Sequence, residues 1–128
     1  MPDAKRIQHF RDLDVYSRSF DAAMKIFEIT KTFPSEERYG IVAQVRRASV
    51  SVVSNIAEGQ GRRSRGEFKH FLEIALGSLA ELETQVLISN ALGYAGSKHS
   101  SELLEIAAEV GRLINGLIKS IRYDRLPD

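Results

Sequence analysis

The chain has 128 residues, of which 43% are hydrophobic and 27% charged, and its formal net charge is +1. This length suits one domain, and the composition excludes a disordered or low-complexity chain. The absence of cysteine excludes disulfides, thiol catalysis and thiolate metal sites. Because MPDAKRIQHF lacks the apolar run of a signal peptide and no segment is apolar enough to span a membrane, we expect a cytoplasmic protein.

We predict one helical domain over residues 13–123, between a flexible segment, 1–12, anchored by Phe10, and a short tail, 124–128. The first helix is predicted over residues 13–31. It ends before Pro34, because the residue that precedes a proline is pushed out of the α region. Its apolar face, with Met24 beside it, is predicted to hold Leu13, Tyr16, Phe20, Ala23, Phe27 and Thr30.

The second helix is predicted to carry Glu36 and Glu37 in its first turn and to run to Glu58 or beyond. Gly59 and Gly61 are expected to end it in left-handed backbone. Its predicted core face consists of Val42, Val45, Ser49, Val52 and Ile56.

The third helix is predicted over about residues 64–92, since Ser64 and Glu67 have the S-x-x-E form of a capping box. Gly77 and Ser78 in its middle indicate that another helix approaches closely there. Its predicted core face consists of Phe68, Phe71 or Leu72, Ala75, Leu79, Leu82 and Val86.

The fourth helix is predicted to take Ser100 or Ser101 as its cap and to end near Arg122 and Tyr123. Its predicted core face consists of Leu103, Ile106, Val110, Leu113 or Ile114, Leu117 and Ile121. Four amphipathic helices joined by short turns predict an all-α, antiparallel up-down-up-down four-helix bundle. Surplus apolar residues on the second and third helices favour a homo-oligomer; they are Ile41, Val50, Val53, Ile74, Leu76, Leu87 and Ile88.

Charge is unevenly distributed along the chain. Residues 38–69 contain seven Lys or Arg against two acids, whereas residues 70–111 contain six acids against one Lys. The surface is therefore expected to be electrically polarised. Two interpretations stay open: nucleic acid at the basic end, or head-to-tail or ring association between copies.

The basic residues are densest between the second and third helices. Arginine side chains and the free N–H groups at a helix N-terminus both favour phosphates. A solvated arginine-rich turn is the alternative. The candidate nucleic-acid contacts are Arg62, Arg63, Arg65 and Lys69, with Arg46 and Arg47 as helpers if the fold brings those faces together.

A polar cluster near the end of the second helix is a candidate pocket for a small ligand or partner. It contains Ser51, Ser54, Asn55 and Glu58 and faces Arg62. The alternative is a helix-end network, in which Glu58 pairs with a nearby arginine and Asn55 bonds to the backbone.

Nothing in the sequence indicates catalysis. Glu102, Glu105 and Glu109 share one helix face, but a di-iron bundle needs Glu-x-x-His pairs on facing helices, and the three histidines do not supply them. GQGRRSRG follows a helix rather than a strand, which removes the context of a phosphate loop. We expect no enzyme activity, no cofactor and no metal. The acids are interpreted as a solvated face or as the partner of the basic turn on a neighbouring copy.

The stretch around the second and third helices resembles the 23S rRNA intervening-sequence proteins, a bacterial four-helix-bundle family. The resemblance covers about residues 10–121. The residues that carry it are Tyr39-Gly40, Gln44, Arg46-Arg47-Ala48, Ser54-Asn55-Ile56-Ala57-Glu58-Gly59, Gly61-Arg62, Phe68, Phe71-Leu72, Ile74-Ala75, Gly77-Ser78-Leu79, Glu81-Leu82-Glu83-Thr84 and Leu92-Gly93-Tyr94.

Members of that family are mostly of unknown molecular function. A related group of accessory proteins in diversity-generating retroelements forms pentameric barrels that bind nucleic acid and a reverse transcriptase. The resemblance therefore implies a pentamer, with RNA, DNA or a nucleic-acid-handling protein as further partners and no membrane.

The sequence thus predicts a self-associating, non-enzymatic bundle whose basic turn contacts nucleic acid. The alternative is a structural or protein-interaction module without nucleic-acid binding. A third interpretation, a ligand-binding or enzymatic site, would centre on Asn55, Glu58 and Arg62.

Overall fold

The computed structural model describes residues 14–124, which form four α-helices and a short 3₁₀ turn, Ser35–Glu37. The helices are α1 (Asp14–Thr30), α2 (Ile41–Gln60), α3 (Arg65–Ala91) and α4 (Ser97–Asp124). Within residues 14–124 there is no strand. α2 packs against α1 and α3, and α4 packs against the same two helices. The prediction of an all-α, four-helix protein is therefore confirmed.

Two predicted features fall on undescribed parts of the chain. The segment 1–12 with its anchor Phe10, and the face position Leu13, lie outside the described residues, as does most of the tail, 125–128. Among the helices of residues 14–124, none is both long enough and apolar enough to cross a membrane.

The centre of the core is the contact between α2 and α3. Ile56, Leu72 and Ala75 are completely buried, and each aliphatic side chain of the size of Leu or Ile contributes roughly 1.5–3 kcal/mol when removed from water. The predicted core face of α2 is confirmed, and that of α3 is confirmed from Leu72 onward. The buried residues are Val42, Val45, Ser49, Val52 and Ile56 in α2, and Leu72, Ala75, Leu79, Leu82 and Val86 in α3.

The predicted core face of α1 is only partly correct. Ala23 and Thr30 are buried and Tyr16 and Phe27 half-buried, but Phe20 is exposed. Phe20 and Met24 are 45% and 56% exposed. The helix carries two stripes with helical spacing, about 100° apart, and periodicity alone cannot choose between them. The second stripe is the buried one, because its small serine and alanine let α1 approach α2 and α4. It consists of Val15, Ser19, Ala22, Ile26 and Ile29.

In α4 the predicted face is correct at Leu103 and Val110, and Ile114 rather than Leu113 is completely buried. The remaining predicted positions are only half-buried, and Ala107 and Ile118 complete the core instead.

The start of α2 differs from the prediction. Glu36 and Glu37 belong to the 3₁₀ turn, and α2 begins at Ile41. The N–H groups of Glu37, Arg38 and Gly40 each bond to a carbonyl three residues earlier, which closes a tighter turn before the α-helix. Glu37 still serves the start of α2, since its Oε1 accepts a bond from the Ile41 N–H at 3.4 Å.

The glycines that end α2 do not have left-handed backbone. Gly59 is helical, and Gly61 has φ −79°. The left-handed residue is Gly93, at φ +79° after α3. There the N–H groups of Gly93 and Tyr94 bond to Asn90 and Ser89, the paired bonds that close a helix C-terminus with glycine.

The close approach predicted at Gly77 and Ser78 is found at Ser78, whose Oγ lies 2.7 Å from the Ser51 Oγ of α2, but not at Gly77, where a Cβ would meet nothing within 4 Å. The glycine at which α2 and α3 approach closely is Gly59. A Cβ on that residue would lie 2.8 Å from the Phe71 Cβ and 3.0 Å from the Phe68 Cδ1. Glycine therefore lets the end of α2 meet the start of α3.

The start of α4 lies one turn earlier than predicted. The helix begins at Ser97, and Ser100 is already inside it, with its N–H bonded to the Gly96 carbonyl at 3.0 Å. Ser100 and Ser101 therefore do not cap α4.

Tyr94 joins the α3–α4 connection to the segment before α2. Its ring lies 5.6 Å from that of Phe33, and its hydroxyl donates to Glu37 Oε2 at 2.7 Å. This hydrogen bond, with burial and the negative charge of the Glu37 carboxylate, raises the pKa of Tyr94.

Replacing Gly59 by alanine should destabilise the protein by about 1–3 kcal/mol, because the new methyl group overlaps Phe71. Gly116 is a helical glycine with nothing near its Cβ position, so Gly116→Ala is the matched control. This substitution should stabilise the protein by roughly 0.4–1 kcal/mol. Urea unfolding monitored by circular dichroism measures both. Equal effects of the two substitutions would show that α2 and α3 do not meet closely at Gly59.

Tyr94→Phe should lower the melting temperature at pH 8, because it removes the hydrogen bond to Glu37. Since the folded state raises the tyrosine pKa, this contribution is fully present below about pH 10 and is lost as pH rises through the folded-state value. The difference between wild type and Tyr94→Phe should therefore shrink above pH 10. Tyr39→Phe, at an 87% exposed tyrosine, is the control. A difference that stays constant from pH 8 to 11 would contradict this assignment.

Candidate nucleic-acid interface

The turn between α2 and α3 is short because both helix ends are satisfied locally. The N–H of Gly61 bonds to the carbonyls of Ala57 and Glu58, and that of Arg62 to the Gly59 carbonyl. Ser64 caps α3, and its Oγ accepts a bond from the Glu67 N–H at 3.0 Å. The predicted N-cap is therefore confirmed.

Arg62 is held at this turn by two contacts. Its Nη2 donates to Glu58 Oε2, and its guanidinium carbon lies 4.8 Å from the centre of the Phe71 ring. Stacking on an aromatic face and pairing with a carboxylate are both favourable for arginine. The structure thus contains the Glu58–arginine pair of the helix-end alternative.

The remaining predicted contacts cluster around the first turn of α3. Arg63 is exposed and, with Arg62 and Ser64, lines an open cleft of about 570 Å³. Arg65 is half-buried. Lys69 Nζ lies 3.6 Å from Glu73 Oε2, so this lysine is paired one turn along α3. The turn therefore keeps a positive surface, although Arg62 and Lys69 each have a carboxylate partner.

Arg46 does not join this surface. Arg46 lies fourteen positions before the end of α2 at Gln60, which is roughly 21 Å of helix. Its Nε donates to Thr30 Oγ1 at 2.9 Å and its Nη2 to the Phe27 carbonyl at 3.4 Å, while the guanidinium stacks on the Phe27 ring at 4.8 Å. Arg46 therefore fastens α2 to the end of α1.

Arg47 is also far from the turn. It lines a separate cleft of about 290 Å³ between α2 and α3, together with Gln44, Ser51, Glu81 and Gln85. Arg46 and Arg47 were predicted to assist the turn only if the fold placed them on the same face. The structure does not place them there.

The polar cluster does not form one pocket. Ser51 Oγ lies 2.7 Å from Ser78 Oγ, and Asn55 Nδ2 donates to the Ser51 carbonyl and hydroxyl at 2.8 and 3.1 Å. Glu58 instead pairs with Arg62. Ser51 thus joins α2 to α3, Asn55 bonds back to Ser51 as in the alternative of a structural network, and Ser54 lies exposed beside them.

No group of three or more acidic or histidine side chains in residues 14–124 is arranged to hold a metal ion. A second group of cations, Lys31, Arg38 and Arg46, lines a cleft at the start of α2. The charge pattern did not reveal it, because the direction of Arg46 depends on how α2 is rotated against α1.

The described residues define an all-α protein with four helices around one core and a basic turn between the second and third. Comparison with protein families gives the class a name. The chain belongs to the 23S rRNA-intervening sequence protein family, whose profile matches residues 11–116. The resemblance of the sequence to this family is confirmed.

A solved structure shares the fold. It is a protein of unknown function from the S23 ribosomal protein family of Bacteroides thetaiotaomicron VPI-5482, with a TM-score of 0.76 and 24% sequence identity. The match covers 82% of this chain and 95% of that one. No curated protein matches the chain.

Proposed function

We propose that this protein is a non-enzymatic scaffold that contacts the phosphate backbone of a nucleic acid with its α2–α3 turn. The observation that carries the proposal is the grouping of Arg62, Arg63 and Arg65 around the N-terminus of a 27-residue helix. The positive dipole end of a helix favours anions, and arginine binds phosphate in a bidentate manner.

The ion pairs at the turn do not prevent such a contact. The Arg62–Glu58 and Lys69–Glu73 pairs are both substantially exposed. Exposed pairs of this kind contribute about 0–1 kcal/mol, so a nucleic-acid phosphate can compete with the carboxylates. Arg63 forms no ion pair with any residue from 14 to 124 and is the principal contact in this proposal.

A non-enzymatic role is supported by the way the polar side chains are used. The hydroxyls of Ser51 and Ser78 bond to each other, and Asn55 bonds to Ser51. These groups hold α2 to α3, which leaves no arranged nucleophile and base in that cluster.

We further infer that the helices alternate in direction, up-down-up-down. The connections, residues 31–40, 61–64 and 92–96, are short, and short connections favour antiparallel neighbours. The contact of α1 with both α2 and α4 agrees with a closed four-helix arrangement.

Self-association is the second part of the proposal. A stripe of exposed apolar residues beside the core face of α3 contains Ile74, Ile88 and the C-cap residue Leu92, which are 38%, 46% and 57% exposed. A helix with apolar residues on its outer side as well as its core side is typically buried on both. We propose that a second copy covers this stripe in a ring, and that the ring is the pentamer implied by the family. Each subunit would add its turn to the nucleic-acid surface, so that weak contacts sum.

One observation favours a different candidate, a protein-interaction module without nucleic-acid binding. The same exposed apolar residues on α3 fit a protein partner, and the acidic residues Glu102, Glu105 and Glu109 of α4 offer a surface for basic groups. A measurement of nucleic-acid binding distinguishes the nucleic-acid scaffold from the protein-interaction module.

Fluorescence anisotropy with labelled structured RNA and duplex DNA tests the turn. We expect binding that weakens steeply with salt, and we expect the triple change of Arg62, Arg63 and Arg65 to alanine to reduce the duplex salt slope by about 2–3. Light scattering should show the same particle mass for this variant and the wild type.

The matched control removes three exposed cations from α4 by changing Lys98, Arg112 and Lys119 to alanine. It has the same net charge as the turn variant and should retain binding. Equal losses in both variants would contradict a contact at the turn, and no binding at low salt would leave the protein-interaction module.

A further inference from the structure

A cleft of about 280 Å³ lies between the end of α1 and the start of α2. Three cations line it, Lys31, Arg38 and Arg46, together with the hydroxyl-bearing Thr30 and Ser35. α2 has 20 residues, which separates this cleft from the α2–α3 turn by roughly 30 Å of helix. The cleft is therefore distinct from the proposed nucleic-acid contact.

No carboxylate lines the cleft. Among residues 14–124, neither Lys31 nor Arg38 takes part in an ion pair. Glu37, the neighbour of Arg38, is occupied elsewhere, with Oε2 bonded to the Tyr94 hydroxyl and Oε1 to the Ile41 N–H. Among the described side chains, the three cations of the cleft thus form no ion pair, and their combined positive potential attracts an anion.

Arg46 is already fixed in position for such a ligand. Its bonds to Thr30 and Phe27, and its stacking on the Phe27 ring, hold the guanidinium in place. These bonds use two of its five N–H donors. A preformed cation loses less side-chain freedom when a ligand binds, which favours affinity.

The C-terminus of α1 lies at this cleft, and free carbonyl oxygens there would repel an anion. This repulsion is reduced because the last carbonyls of α1 already accept hydrogen bonds. The Thr30 hydroxyl bonds to Ile26, Arg46 to Phe27, and the N–H groups of Lys31, Thr32 and Phe33 to Glu28, Ile29 and Thr30. At the other wall, Val42 lies in the first turn of α2, where the Ile41 N–H is already bonded to the Glu37 carboxylate. The three cations, rather than this helix end, therefore supply the attraction for an anion.

We propose that this cleft binds the phosphate group of a small phosphate monoester. A monoester carries about 1.5 to 2 negative charges and three acceptor oxygens, which matches three cations better than a single carboxylate does. The volume lies at the lower end of small-molecule sites, so the ligand is small.

The test is a ¹H–¹⁵N NMR titration with inorganic phosphate, with ionic strength held constant by sodium chloride. We expect saturable shifts of the amides of Ser35, Arg38 and Val42. The double variant Lys31→Gln, Arg38→Gln should bind phosphate at least about tenfold more weakly, because it loses two charge-assisted contacts. Both side chains are exposed, and circular dichroism checks that the variant is folded.

Lys98→Gln, Arg112→Gln is the matched control, since it removes two exposed cations from α4, away from both proposed sites. It should leave the phosphate-induced shifts of the Ser35, Arg38 and Val42 amides unchanged. These amides report on the cleft alone, so the failure of this proposal is distinguishable from the failure of nucleic-acid binding at the turn. Titrations with a phosphate monoester and with a dinucleotide phosphodiester identify the kind of phosphate, and the monoester should bind more tightly.

Three results would overturn the proposal. They are the absence of saturable shifts, equal phosphate affinity in the wild type and the double variant, and tighter binding of the diester. A double variant that changed the particle mass but not phosphate affinity would likewise reassign Lys31 and Arg38 to a contact between copies.

Discussion

The close contact between the end of α2 and the start of α3 is the constraint on which the rest of the structure depends. Gly59 has no side chain where Phe68 and Phe71 approach, so the two helices meet closely beside a four-residue turn. Further along, the Ser51–Ser78 hydrogen bond joins the same helices. This contact fixes the rotation of α3, and with it the direction of the turn arginines and of the outer apolar stripe.

How much the sequence predicts depends on how local each feature is. The core face of α2, and that of α3 from Leu72 onward, follow apolar residues at helical spacing, and the cap at Ser64 depends on residues three positions apart, so these predictions hold. α1 has two stripes with the same spacing, and only packing against its neighbours shows that Ile26 is buried and Phe20 is not. The left-handed glycine is Gly93 rather than Gly59 for a similar reason. Both glycines follow apolar helical segments in the sequence, and only the fold shows that α3 packs against Gly59, whereas Gly93 has a positive φ.

The two groups of basic residues also differ in whether the chain or the fold brings them together. The arginines of the turn are neighbours in the chain, so their grouping is visible in the sequence. Lys31, Arg38 and Arg46 come from two helices and their connection, and their convergence requires the crossing of α1 and α2. The ion pair of Arg62 at the turn is exposed and weak, whereas Arg46 is hydrogen-bonded to Thr30 of α1 and joins two helices. Net charge alone does not distinguish these two kinds of arginine.

The central claim is that α3 is apolar on its outer side because another copy covers it. Native mass spectrometry of the wild type and of the double variant Ile88→Lys, Leu92→Lys tests this most directly. A control variant, Ser101→Lys, Ala108→Lys, adds the same two charges at exposed positions of α4. The account predicts an oligomer for the wild type and the control, and a folded monomer for the α3 variant. A monomeric wild type, or an α3 variant with the mass of the wild type, would contradict it.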